Sequence, residues 1–458
     1  MNPQTIGRID RRIGKPICWL LTAARRVGEL FARLFGRGGA TERPVRRILF
    51  IKMIEQGATV LAYRAIATAV EKVGVENVYF WVFAENRPIL DLLQVIPPEN
   101  VIPINAKKPV RLFLGMIGTL WKIRKLRIDA TVDMEFFSRA SAILAFLTGA
   151  RVRVGLHRFT SEGPYRGDLL TRRVQYNPYL HTAVMYYVLV QAIWADPKQT
   201  PLLKVPAPAI DATPPPFIPR QGEAEEVRAI VNRLAGTKAE GPIVLLNPNA
   251  SDLLPLRKWP TDRFIELGRR LLREQPNAWL VITGAPSERE AAQDVADDIS
   301  DDDANSDGNA DPEINRCFCI AGHTTLRQLM VLYTLADVLV TNDSGPGHFS
   351  SMTNVETVVL FGPETPALYG PLGKHTHVIW ENLACSPCVN VLNHRFSPCN
   401  DNVCMQRITV EQVCAKVIDL LNRRNKPEDE RSESPDSSGF KTNQASGDSL
   451  RSSSGLVG

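Results

Sequence analysis

The chain is 458 residues long, room for up to three domains of about 150 residues, and its 44% hydrophobic and 22% charged content excludes a disordered chain. Eight cysteines are too sparse for a disulfide scaffold and imply a reducing, cytoplasmic setting. Residues 1–47 carry eleven Lys and Arg against three Asp and Glu, net +8 in a chain of net +5, so the body is slightly acidic and nucleic acid is not an expected partner.

The first predicted element is an amphipathic helix. Ile17, Leu20, Ala24, Val27, Phe31, Leu34 and Phe35 recur at three- and four-residue steps, while Arg25, Arg26, Arg33 and Arg37 fall on the other side of the wheel. Pro16 suits a first turn, Gly36, Gly38 and Gly39 end the pattern, and Trp19 lies off the apolar face. A helix of this kind over residues 16–37 can lie in the headgroup layer of an anionic membrane, or it can dock on the protein's own body. A cleaved signal peptide is disfavoured, because only ICWLLTAA (17–24) precedes Arg25 and Arg26. The same stretch is far below the ~20 residues of a membrane span.

From residue 46 short apolar runs alternate with helical patterns. RRILFIK (46–52), NVYFWVF (77–83) and ATVD (130–133) read as strands, and 57–73, 110–127 and 136–149 as helices. PLLKVPAPAIDATPPPFIPRQG (201–222) holds too much proline for a helix or central strand. The alternation then resumes, with strands at 243–247, 279–283, 337–341 and 357–361 and helices near 261–274, 287–299 and 325–335. This predicts an α/β protein of two Rossmann-like domains facing a cleft. The boundaries are a basic segment 1–45, a first domain 46–205, a linker 206–222, a second domain 223–422 and a disordered tail 423–458. The acidic stretch 297–313 is expected to be a solvated loop.

Three loops after strands of the second domain have unusual composition, and ligands of open parallel sheets bind beyond such strand ends. NPNASDLLPLRKWPTDRF (247–264) places Arg257 and Lys258 before a helix. TGAPSERE (283–290) turns through Thr283 and Gly284 into a helix with Glu288 in its first turn. TNDSGPGHFSS (341–351) ends a strand in Asn342 and Asp343, and Gly345 and Gly347 let backbone N–H groups approach an anion. Together they read as a nucleoside-diphosphate site, although each alone is also ordinary turn and cap chemistry.

The order RKWP, TGAPSERE, AGHTTLRQL (321–329), VTNDSGPGHFSS and LFGPETP (360–366) resembles glycosyltransferase family 9, the ADP-heptose:lipopolysaccharide heptosyltransferases. The resemblance covers roughly residues 46–422 and is densest from 243 to 390. It implies the GT-B fold, with an acceptor domain first and a donor domain second, and inverting transfer that needs no protein-bound metal. It further implies that Lys258 contacts the donor diphosphate and that Asp343, Ser344, Gly345 and His348 form the phosphate and sugar loop. Glu288 would bind the adenosine end, with Leu326 and the turn from Gly322 to Thr325 beside the nucleotide. The implied partners are a nucleotide-sugar donor and a glycolipid or surface-polysaccharide acceptor.

The opening motif of that family is a strand ending in Lys or Arg, then a glycine followed by a catalytic Asp. In ILFIKMIEQGATVL (48–61) Lys52 and Gly57 are in place, but the next residue is Ala58, which cannot take a proton. Glu55 on the same loop is the first substitute, and Asp133 with Glu135, after the ATVD strand, is the second. The competing readings are a solvated loop carboxylate for Glu55 and a helix cap for Asp133. Ala58 also suits a catalytically silent nucleotide-sugar-binding protein. Arg139, and Arg166 and Asp168 in the long loop 155–173, are assigned to the acceptor side. Finally, Cys385, Cys388, Cys399 and Cys404 form two close pairs that would suit a structural zinc, with free thiols or a redox pair as alternatives.

Overall fold

The computed structural model describes residues 10–35, 43–105, 109–158, 165–250, 254–306, 315–392 and 396–424. Arg37 and the glycines around it, the centre of the 155–173 loop and the tail beyond Arg424 lie outside them.

Among the described residues the strands form two six-stranded sheets. The first contains β1 (Ile48–Ile51), β2 (Val78–Phe83), β3 (Val101–Ile104), β4 (Ala130–Asp133), β5 (Val152–His157) and β6 (Arg172–Gln175) in the order β3-β2-β1-β4-β5-β6. The second contains β7 (Ile243–Asn247), β8 (Trp279–Ile282), β9 (Cys317–Cys319), β10 (Val338–Asn342), β11 (Glu356–Phe361) and β12 (Thr376–Trp380) in the order β12-β11-β10-β7-β8-β9. Every pairing is parallel. Both halves are therefore the same doubly wound Rossmann-like unit, with the strand order reversing between β1 and β4 and between β7 and β10. β1, β4, β7, β8 and β10 are buried along their whole length, which is why they read as unbroken apolar runs.

Five strands escape the sequence pattern, and four of them (β3, β6, β9 and β12) are the edges of the two sheets. RRVQ at one edge is only partly covered, so a polar run suffices there, whereas CFC at another is buried but only three residues long. The fifth, β5, is interrupted by Arg153 and Gly155. The predicted helix 57–73 is two helices, α2 (Gln56–Leu61) and α3 (Tyr63–Val73), and α4 (Arg87–Leu93) was not predicted. The acidic stretch is a correction. Its first part continues the helix α10 (Arg289–Ser306), because Ala292, Val295, Ala296 and Ile299 keep one buried face and no turn residue interrupts it.

Helices α5 (Pro109–Lys125) and α6 (Arg139–Leu147) cover one face of the first sheet, sharing a core with Leu49, Ile51, Trp81 and Ile102. α3 and α7 (Thr182–Gln191) cover the other face. The second sheet is flanked by α8 (Glu223–Ala235) and α11 (Leu326–Leu335) on one face, with α9 (Thr261–Glu274), α10 and α13 (Val410–Arg424) on the other. The proline-rich segment has no regular element, and its Phe217 N–H donates to the Met352 carbonyl of the second half at 2.6 Å.

The N-terminal helix α1 (Lys15–Leu34) docks on the body, but through its small and polar side. Cys18 and Thr22 are buried, and a Cβ at Gly14 would lie 3.1 Å from the Arg139 side chain. Leu20, Val27, Leu30, Phe31 and Leu34 are left exposed. Among the described residues no helix is long and apolar enough to cross a membrane.

Candidate active site at the two switch points

The two reversals of strand order place two polar clusters opposite each other. At the first, β1 ends in Lys52, a wholly buried cation. Its Nζ donates to Glu55 Oε2 at 3.1 Å and to Glu135 Oε2 at 3.3 Å. Glu135 is fixed further by the Met53 and Ile54 N–H groups, which donate to its Oε1 at 2.6 and 3.2 Å. Glu55 sits at φ 70°, a left-handed conformation unusual outside glycine, and its side chain is 19% exposed against 11% for Glu135. The structure thus brings Lys52, Glu55 and Glu135 together, with Glu55 the carboxylate nearer the solvent.

Asp133 does not join them at the surface. It is fully buried and ion-paired to Arg166 at 3.3 Å, and burial pushes its carboxyl up to about 7 against the pull of that arginine. Its Oδ1 accepts from the Glu135 N–H at 3.1 Å, so it shapes the loop that carries Glu135. The other residues assigned to the acceptor side are placed elsewhere. Arg139 binds Asp10 and donates to the Tyr165 carbonyl at 2.8 Å. Asp168 pairs with Arg26 and, at 3.1 Å, with Arg173, and Thr22 Oγ1 accepts from its N–H at 3.0 Å. Asp168 fastens α1 by pairing with its Arg26, and Arg139 holds Asp10 just before that helix.

At the second switch point the cation is the half-buried Arg257. Its Nη2 donates to Glu364 Oε2 at 2.6 Å, its Nη1 donates to the Asp343 carbonyl at 3.2 Å, and its Nε lies 3.5 Å from Asp343 Oδ2. Burial works against the charge of Arg257, but Glu364 and Asp343 outweigh it and raise its pKa. Burial raises both carboxyls, that of Glu364 to about 7. Lys258, the expected diphosphate contact, is not one of the ion-pair partners of this cluster among the described residues. Its carbonyl accepts from Asn402 Nδ2 at 2.9 Å, and among the described residues its ammonium has no ion-pair partner. One residue of register separates the two, and only the fold shows that Arg257 faces Asp343.

The remaining donor residues lie at the carboxyl ends of β8, β9 and β10, as expected for ligand-binding loops. Thr283 is buried, and its Oγ1 accepts from Asn247 Nδ2 at 3.0 Å. Gly284 is crowded, since a Cβ there would lie 3.1 Å from Asn249 Nδ2. Glu288 closes its own turn by accepting from the Ala285 N–H at 2.7 Å. Gly322 follows β9, Thr325 caps α11 through the Gln328 N–H at 3.2 Å, and Leu326 is half-buried against that helix's core. Ser344 precedes α12 (Gly345–Ser350) and makes no side-chain bond to it. Among the described residues His348 Nδ1 and Asn249 Nδ2 are buried without a hydrogen-bond partner, and burial lowers the imidazole of His348 to about 3.

The halves meet where α2 packs on α12. A Cβ on Gly57 would lie 2.5 Å from His348 Cδ2, so this glycine serves the approach of one domain to the other. Ala58 opens the same helix. A second link is His181, whose Nδ1 accepts from the Ala183 N–H at 3.2 Å, leaving Nε2 to donate to the Gly370 carbonyl at 3.0 Å. Sequence reasoning missed Glu364 and the position of Arg257, although both lay inside quoted motifs, RKWP and GPETP.

Cys385, Cys388, Cys399 and Cys404 are free thiols in this structure. Among the described residues no group of three or more His, Cys, Asp or Glu is placed to hold one. Cys385 and Cys399 are exposed, the Cys399 thiol donates to the Asp401 carbonyl at 3.0 Å, and Cys388 accepts from Ser397 Oγ at 3.2 Å.

A family model for glycosyltransferase family 9 (heptosyltransferase) matches residues 121–395. Lipopolysaccharide heptosyltransferase 2 of Salmonella typhimurium is 27% identical over 171 residues, 37% of this chain and 45% of the relative. The Escherichia coli protein of the same name is 28% identical over 141 residues, 31% of this chain and 37% of the relative. The chain therefore matches less than half the length of these curated relatives. Among solved structures, E. coli ADP-heptose lipopolysaccharide heptosyltransferase II superposes with a TM-score of 0.60 at 20% identity, covering 83% of this chain and all of that one. A family 9 glycosyl transferase of Veillonella parvula gives 0.59 at 18% identity, covering 84% and 99%. The shared architecture is the GT-B arrangement of two Rossmann-like domains.

Proposed function

The chain belongs to glycosyltransferase family 9, and from that premise we propose an inverting glycosyltransferase that moves a heptose or related sugar from an ADP-linked donor to a lipopolysaccharide-type glycolipid or surface polysaccharide precursor. The observation that carries this reading is the facing pair of clusters, Lys52–Glu55–Glu135 and Arg257–Asp343–Glu364, joined by the Gly57–His348 contact. Glu55 removes the proton of the acceptor hydroxyl, and that oxygen attacks the anomeric carbon as the diphosphate leaves from the opposite face. Lys52 positions Glu55, and Glu135 in turn holds Lys52. Arg257 and Lys258 take up the charge of the leaving diphosphate, so the chemistry needs no resident metal. A solved E. coli heptosyltransferase carries ADP, and another an ADP-2-deoxy-2-fluoro heptose, which supports the choice of donor. The helix within residues 16–37 holds the protein on the inner face of an anionic membrane, where its glycolipid acceptor is found.

The test is to incubate purified full-length protein with ADP-heptose and heptose-deficient glycolipid and follow ADP release and glycolipid mass. Release that depends on the acceptor supports the proposal. Ala58 favours one second reading, a silent nucleotide-sugar binder, which predicts donor binding in calorimetry and no ADP release.

A further inference from the structure

Helix α5 is apolar on two sides. Leu112, Met116, Leu120 and Ile123 face the sheet, half-buried or buried. On the outer side Phe113, Ile117 and Trp121 recur at four-residue steps with Leu114 beside them, and Phe113 and Trp121 are 66% and 63% exposed. Such a stripe on a surface helix needs an occupant. The helix carries Arg111, Lys122, Arg124 and Lys125 and no acidic residue, and the Lys125 ammonium lies 3.2 Å from the centre of the Trp121 ring. α5 shares its side of the domain with α6, and α1, with its exposed Leu20, Leu30, Phe31 and Leu34, packs against α6.

We propose that the outer face of α5 is a second membrane contact, inserting Phe113, Leu114, Ile117 and Trp121 among the acyl chains of an anionic bilayer while its basic residues meet the lipid phosphates. The charge selects the occupant. A second copy joined symmetrically through this face would set one basic helix against its own image, with no acidic residue to answer it. An anionic headgroup layer supplies the missing charge, and a tryptophan beside a lysine suits its depth. Because α6 begins just beyond Glu135, a bilayer lying on α5 and α1 runs along the rim of the cleft. The choice of bilayer rests on the membrane reading of α1, but the residues are different and can be tested apart.

Full-length wild type, Ile117→Ser/Trp121→Ser and Leu30→Ser/Phe31→Ser are co-sedimented with phosphatidylcholine vesicles with and without phosphatidylglycerol. The α5 variant should bind anionic vesicles about tenfold more weakly than wild type, with an unchanged melting curve because the lost groups are exposed. Binding equal to wild type in the α5 variant, with loss in the α1 variant, overturns this proposal and leaves the α1 reading standing. Loss in the α5 variant alone supports it and overturns the α1 reading. A wild-type dimer in sedimentation equilibrium that Ile117→Ser/Trp121→Ser dissociates, without vesicle binding by either, assigns the face to a second copy. Brominated acyl chains give a readout independent of variant folding, since wild type should be quenched more than Trp121→Phe and equal quenching counts against insertion.

Discussion

The two switch points use the same device differently. Each sets one cation between two carboxylates, the buried Lys52 between Glu55 and Glu135, and the half-buried Arg257 between Asp343 and Glu364. In the first cluster the backbone fixes Glu135, and Glu55 keeps 19% of its side chain exposed. In the second the exposures fall to 5% and 2% for the carboxylates, and burial raises both. An accessible carboxylate held by a cation can accept a proton from a substrate. A sealed pair with raised pKa values is suited to answering an incoming charge. That difference matches the proposed division of labour, proton transfer at the first cluster and an anion at the second.

The sharpest way to break that division is at Glu55. Glu55→Gln should lower turnover by about 10²–10⁴-fold and leave donor affinity nearly unchanged, because the amide keeps the shape and loses the basicity. A wild-type rate in steady-state assays would move the base elsewhere. Next in size is the buried pair behind the first cluster. Arg166→Met should destabilise the fold by about 3–5 kcal/mol in urea unfolding, since it leaves Asp133 buried without its counter-charge. A loss of activity with full stability would instead return Arg166 to the acceptor side.

At the second cluster, Arg257→Ala should weaken ADP binding by about 1.5–3 kcal/mol, and Lys258→Ala by less. Calorimetry in which Lys258 proves the costlier loss reverses the assignment drawn from burial, provided both variants melt like wild type. The smallest effect is on pH. Glu364, with its carboxyl near 7, is protonated below that value and leaves Arg257 freer for a diphosphate; above it, the carboxylate competes. Donor affinity should fall by up to about tenfold per pH unit above 7, and Glu364→Gln should flatten the profile. By the same sign, the raised pKa values of Asp133 and Glu364 contribute stability that is complete below the ordinary carboxylate range and is lost as pH rises towards 7.

The sequence by itself determined the class of fold and the positions of the loops at the strand ends. Strands such as ILFI and VLVTN are buried along their length, so their apolar runs stand out, and the loops that carry Gly57 and Asp343 begin where those runs stop. Edge strands were not legible, because RRVQ is only partly covered and carries no apolar pattern, and CFC, although buried, is only three residues long. Nor could spacing decide between Arg257 and Lys258, which differ by one residue in a loop without periodicity. Only tertiary packing turned Arg257 towards Asp343 and Glu364, more than eighty residues away in the chain. The helical wheel set the apolar residues of α1 on one side, but that this side is left outward depends on tertiary contacts, Cys18 and Thr22 packing inward and Arg26 pairing with Asp168. Local propensity fixes elements along the chain; charge pairing and burial between distant segments decide which of their faces does the work.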